Sequence, residues 1–302
     1  MIVSIRKSIV VQNVDIILGQ RFTIILLQRA SVLTIIVDAN LQVNKKLTML
    51  QKRILILLVF SFSLLYCSYA QNTYVVAVGL GKYKYPSIAP PLPCSVGDAK
   101  AVSKFFYNYN GSHVFLLLNK NATRNHILTV LKREFSKSTP NDEIIFVFSG
   151  HGIQGGLTTY ETKDMSSIIT YNEIQNIMKK AKARRKIILA MACYSGGLTM
   201  PKRKGQKGES SRRITDKTSV MLYTSSRADE VSWERTDMNT SFFFNRILRG
   251  FYGEADKNRD KKVTARELFN YVNPGVISDT QGMQHPQMWG NFDDSMVIVY
   301  IK

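Results

Sequence analysis

Ile144-Ile-Phe-Val-Phe-Ser-Gly-His151-Gly152 and Lys186-Ile-Ile-Leu-Ala-Met-Ala-Cys193-Tyr-Ser-Gly196-Gly197 decide the reading of this chain. Each is an unbroken apolar run that ends in small residues. Such runs, without polar alternation, are strands buried on both faces of a parallel sheet. His151 and Cys193 are 42 residues apart, which leaves room for one crossover helix between two parallel strands. Two glycine-flanked turns at neighbouring strand ends are a way to bring a thiol and an imidazole together.

Outward from these runs the pattern repeats. Strands are expected at Tyr74–Val78, Val114–Leu118, Ile144–Phe148, Lys186–Ala192 and Val220–Thr224, with Met296–Ile301 as a closing strand. Helical spacing covers Asp98–Tyr107, Thr123–Phe135 (Thr123 as N-cap), Tyr171–Ala183, Phe242–Phe251 and Ala265–Tyr271. Strands alternating with helices define an α/β class, a mostly parallel sheet of six strands with helices on both faces. Sites in such sheets form beyond the C-terminal strand ends, where His151 and Cys193 are placed.

A thiol attacks as thiolate, and its ordinary pKa of about 8.5 calls for a neighbouring imidazole. Small residues beside Cys193 and His151 let a substrate carbonyl approach the backbone. The N–H groups of Gly152 and Cys193 are candidates for stabilising the oxyanion that forms. A lone strand-end cysteine is more often a small core residue. The pairing of both turns on consecutive strands favours a nucleophile and base. His113, His126 and His285 lack such settings and read as structural.

Phe148-Ser-Gly-His151-Gly152 together with Ala192-Cys193-Tyr-Ser-Gly196 resembles the caspase-like cysteine peptidases, in particular the bacterial metacaspase-like group. Val76-Ala-Val-Gly79, Gly97-Asp98-Ala99 and Thr224-Ser225-Ser-Arg-Ala-Asp-Glu230 resemble other family segments, so the likeness spans most of residues 73–300. The resemblance implies a caspase-haemoglobinase fold with one antiparallel closing strand. It also implies peptide-bond hydrolysis by a Cys193–His151 dyad with no required third residue and no cofactor for the chemistry. Asp98, Ser225 and Glu230 are its implied substrate-binding positions. Family members of this group usually carry Asp two residues before the nucleophile, where this chain has Met191. An Arg or Lys P1 through Asp98 and a more apolar P1 therefore both stand. A non-catalytic interaction module on the same fold is the rival from another class.

Two further segments stand out. Residues 200–217 are basic, glycine- and serine-rich and poor in apolar residues; they sit where family members carry a processing linker, and self-cleavage there and an uncut surface loop are the two readings. Residues 256–267 follow EF-hand spacing, with Asp256, Asn258, Asp260, Lys262 (by its carbonyl), Thr264 and Glu267 as the oxygen ligands of a weak or structural Ca²⁺ site. Lys261 occupies the position where glycine normally makes the turn, and five bases oppose a dication there.

Met49 begins a secretory-signal pattern: Lys52 and Arg53, an apolar run from Ile54, then Ser68-Tyr-Ala70 before a cleavage point. The domain plan is therefore an atypical or non-native extension at 1–48, a signal peptide at 49–70 and a peptidase domain at 71–302. The protein is expected to be exported, periplasmic or secreted, with no stable membrane span once cleaved. An uncleaved N-terminal anchor is the alternative. The net charge is +19. The first 70 residues carry eight bases and two acids, which leaves 33 bases and 20 acids, about +13, for the rest. No nucleic-acid-binding motif accompanies that charge, so nucleic acid is not an expected partner. Protein or peptide substrates are. Three cysteines, one of them in the signal segment, give no disulfide framework.

Overall fold

The computed structural model describes residues 71–302 apart from 110, 154, 193–218, 227–238 and 302, together with the backbone of three strands in residues 1–70. The chain divides at Tyr69/Ala70. In the N-terminal unit, β1 (Val10–Ile16), β2 (Gln20–Arg29) and β3 (Val32–Ile36) form an antiparallel sheet in the order β1-β2-β3. The signal segment expected at 49–70 lies outside the described residues.

The second unit follows in chain order. It opens with β4 (Thr73–Gly79), α1 (Pro93–Tyr107), β5 (Ser112–Leu118), α2 (Arg124–Phe135) and β6 (Glu143–Ser149). Then come three two-residue strands, β7 (Gly152–Ile153), β8 (Gly156–Leu157) and β9 (Ile169–Thr170). After these run α3 (Tyr171–Lys180), β10 (Arg185–Met191), β11 (Ser219–Thr224) and α4 (Phe242–Arg249). The chain ends with β12 (Lys262–Thr264), α5 (Ala265–Asp279), β13 (Gln287–Asn291) and β14 (Val297–Tyr300).

The central sheet has six strands in the order β13-β11-β10-β6-β4-β5. Five run parallel, and β13 closes the edge antiparallel to β11. The antiparallel edge expected at Met296–Ile301 is thus formed by Gln287–Asn291. The C-terminal run instead pairs with β12 in a separate two-stranded sheet. Val297–Tyr300 carries the stronger β signal, but its buried residues Ile298 and Val299 belong to the core layer that holds Val263 of β12 and the apolar face of α5. Gly290 makes the true edge strand possible. It has φ +123°, and a Cβ there would stand 2.0 Å from the Val220 carbonyl oxygen.

Alternate residues of each strand face opposite layers, as a pleated strand requires. Val76, Val78, Phe146, Phe148, Ile188 and Ala190 pack beneath α2 and α3. Val75, Ala77, Val147, Leu189 and Met191 pack beneath α1, α4 and α5. Every residue of β4 and β6 is buried, which accounts for the unbroken apolar runs. Helix starts follow their caps. Thr123 accepts a hydrogen bond from the His126 N–H, and Thr170–Glu173 and Thr264–Glu267 are capping boxes. The first helix starts at Pro93, earlier than Asp98, because proline fits a helix's first turn, where no N–H is needed. Among the described residues no helix is long and apolar enough to cross a membrane.

Candidate active site

Strands β6 and β10 run side by side, with Ser149 opposite Met191 as their last paired residues. His151 is two residues beyond Ser149, and Cys193 is two residues beyond Met191. The Gly150 N–H donates to the Met191 carbonyl at 3.1 Å, so the His151 turn is stitched to the strand that leads toward Cys193. Cys193 itself lies outside the described residues, as do Glu230 and the 200–217 loop.

The imidazole of His151 is held on several sides. Its Nε2 lies 2.8 Å from the Pro90 carbonyl oxygen. A carbonyl can only accept, so Nε2 carries the proton and the neutral ring keeps its lone pair on Nδ1. The ring packs against Tyr83 with centroids 5.3 Å apart. Burial lowers the His151 pKa, partly offset by the Pro90 hydrogen bond. The His151 N–H donates to the Tyr83 hydroxyl at 2.9 Å. Its carbonyl accepts from the Thr158 N–H at 3.1 Å and the Thr158 hydroxyl at 2.8 Å.

Gly152 opens β7 and stands opposite Leu157 of β8. His151 and Thr158 form the adjacent hydrogen-bonded pair through Thr158 N–H to His151 O. Hydrogen-bonded and non-hydrogen-bonded pairs alternate in an antiparallel ladder, so the Gly152 N–H is directed away from β8.

Asp98 is fully buried on α1. Its Oδ2 accepts from the Ser149 hydroxyl at 2.8 Å and its Oδ1 from the Ser241 N–H at 2.8 Å. The structure thereby ties Asp98 to the last residue of β6, two positions before His151, and to the N-cap of α4. Gly97 permits that approach, since a Cβ there would lie 1.5 Å from the Asn239 carbonyl oxygen. Met191 is buried in the layer of α1, α4 and α5. Ser225 is buried at the end of β11, where its N–H donates to the Ala190 carbonyl at 2.9 Å.

The 256–267 loop lies apart from these groups in sequence and folds as a run of side-chain-capped turns. Asp256 accepts from the Asp260 and Lys261 N–H groups, Asn258 from Asp260 N–H, and Asp260 from Lys262 N–H. Lys261 adopts φ +63°, the left-handed backbone glycine would supply, at a cost of about 1 kcal/mol. Glu267 accepts from the Thr264 N–H and hydroxyl in the α5 capping box. Among the described residues no three His, Cys, Asp or Glu side chains gather to hold a metal ion.

Tyr83 and Pro90 were not distinguished by the sequence. Both lie in the irregular segment after β4, which has no periodicity. The one available signal was position: a loop leaving the C-terminal end of a central strand beside the His151 strand.

A six-stranded, mostly parallel sheet between two helical layers, with histidine at the end of one central strand, defines a caspase-like protein. The caspase domain family (peptidase C14) matches residues 75–296, and the chain belongs to this family of cysteine peptidases. Solved structures share the fold. GSU0716 from Geobacter sulfurreducens is similar at a TM-score of 0.55 and 15% identity, covering 76% of this chain and 100% of that one. Caspase-1 from Spodoptera frugiperda is similar at a TM-score of 0.56 and 13% identity, covering 77% of this chain and 91% of that one. No curated protein matches the chain in sequence.

Proposed function

We propose that this protein is a cysteine endopeptidase in which Cys193 is the nucleophile and His151 the general base. The observation that supports this most is the His151 setting. The Pro90 carbonyl fixes the proton on Nε2 at 2.8 Å, on a turn bonded to the strand that precedes Cys193. In the proposed reaction, Nδ1 takes the thiol proton and the thiolate attacks the scissile carbonyl. The oxyanion draws on the N–H groups of Gly152 and Cys193, and the imidazolium then protonates the leaving amine. The outward direction of the Gly152 N–H agrees with that role.

Cleavage after Arg or Lys is proposed, with Asp98 as the acidic group and Ser225 and Glu230 contributing. Asp98 already receives two hydrogen bonds in its buried position, so a cationic side chain would reach it only after the 239–241 segment shifts. The apolar surroundings of Met191 support the apolar P1 as the second reading. Self-cleavage is proposed within residues 200–217, and export by the 49–70 segment. The 256–267 loop is proposed to bind Ca²⁺ at about millimolar concentration, since Glu267 must first leave the α5 cap. No step of the proposed chemistry is routed through that ion.

One experiment addresses these readings together: cleavage of a P1-randomised peptide library by the full chain, with and without millimolar Ca²⁺, beside Cys193→Ala. Arg or Lys at P1, activity abolished in Cys193→Ala and a nick in the 200–217 loop of the wild type alone are expected. Equal profiles for wild type and variant would favour the interaction module.

A further inference from the structure

We propose that Tyr83 is the positioning residue of the catalytic imidazole: a clamp of Tyr83 and Thr158 locks the His151 backbone while the Tyr83 ring backs its side chain. The role, though not the geometry, rests on the reading of His151 as the base. Three contacts close a ring. The His151 N–H donates to the Tyr83 hydroxyl oxygen at 2.9 Å, Tyr83 and Thr158 hydroxyls lie 3.3 Å apart, and the Thr158 hydroxyl meets the His151 carbonyl at 2.8 Å. A threonine hydroxyl has one proton. The Thr158 hydroxyl is the donor toward both oxygens, and the His151 carbonyl is its closer acceptor. Both polar groups of the His151 main chain are thus fixed by side chains that are themselves buried: Tyr83 is 5% and Thr158 2% exposed.

The clamp matters because His151 stands just past the end of β6, where the sheet ladder stops holding the backbone. Tyr83 is itself anchored through its neighbours. Leu80 N–H donates to Ser149 O, Lys84 N–H to Tyr160 O, and Asn119 accepts from the Gly81 and Lys82 N–H groups. The same loop supplies the Pro90 carbonyl that selects the Nδ1 base tautomer. One segment therefore fixes the histidine's main chain, ring face and proton. A base must stay within hydrogen-bond reach of its proton, so loosening the clamp lowers the rate without touching substrate binding.

The test uses the full chain, Tyr83→Phe and Thr158→Val. Tyr83→Phe keeps the ring and its packing, and its fold is checked by thermal unfolding. Expected are a fall in kcat of about tenfold with KM within about twofold, and an acid limb of the pH profile displaced upward as water reaches the ring. Thr158→Val gives a smaller change of the same kind. Histidine ¹⁵N spectra supply a readout independent of turnover. His151 is expected to hold the Nε2–H tautomer in the wild type and to show mixed tautomers in Tyr83→Phe. An unmoved pH limb together with an unmoved tautomer would overturn the proposal, even if kcat fell. If the wild type cleaves no peptide and takes no thiol-directed probe, the peptidase reading fails, and the ¹⁵N spectra still decide the clamp.

Discussion

His151 is a histidine kept neutral by its surroundings. Burial removes water from the ring and disfavours the imidazolium, while the Pro90 carbonyl fixes where the remaining proton sits. A histidine whose pKa is lowered stays neutral, and able to accept a proton, to lower pH than a free imidazole, so the base role proposed for His151 carries a pH signature. The acid limb of kcat/KM is therefore expected below pH ~6.5, the ordinary histidine value, and pH–rate profiles with a neutral leaving group measure it. His151 was legible in the sequence because glycines on both sides of a histidine, after a fully apolar strand, mark a turn left open at a strand end rather than a packed core position. Tyr83 and Thr158 were not, because a main-chain clamp is assembled by tertiary contacts across 68 and 7 residues of sequence. Asp98 was singled out through its Gly97-Asp98-Ala99 setting. Its bonds to Ser149 and Ser241 could not be read from that setting, because they join three separate elements.

The strands were readable as elements since each central run is apolar on both faces, and burial on both faces is what a central parallel strand imposes. The edge was not. Gln287–Asn291 contains Gln, Gly and Asn, yet it pairs with β11, because an edge strand needs apolar residues less than it needs a close backbone approach. Lys186 carries another message that periodicity hides. It sits fully buried in β10, where its Nζ donates to the Met178 and Ala181 carbonyls at 2.7 and 2.8 Å. It thus caps the C-terminal end of α3, joining a helix to the strand that leads to Cys193. Lys186→Met keeps the bulk and leaves those carbonyls without this partner. A loss of about 1.5–3 kcal/mol in chemical denaturation is expected, the scale of a charge-assisted hydrogen bond. The EF-hand spacing was equally legible, and so was the strain at Lys261. The engagement of Glu267 in a helix cap depends on the start of α5.

Across the whole molecule, the two ends of the sheet do different things. The C-terminal end carries His151. At the other end, Thr73, Glu143 and Arg185 face one another across β4, β6 and β10. Glu143 is buried and its pKa is pushed up to about 8 by desolvation, with Arg185 at 3.8 Å opposing the shift. That separation is too long for a hydrogen bond. A carboxyl whose folded pKa is raised favours the folded state at low pH. That contribution is lost as pH rises from the ordinary value of about 4.5 through about 8. Glu143→Gln is expected to unfold at a temperature that gains on the wild type over this interval and levels off above it, read from melting curves at pH 5, 7 and 9. An unchanged difference across the series would contradict the raised pKa.

The architecture is suited to hold a histidine and a cysteine at neighbouring strand ends, and the proposed function turns on that pair doing covalent chemistry on peptides. Labelling by a thiol-directed peptide probe, followed by mass spectrometry of the modified residue, is the sharpest test. One adduct on Cys193 is expected, formed faster than in His151→Ala and absent from Cys193→Ala. No adduct on Cys193, or labelling at the same rate in His151→Ala, would contradict it.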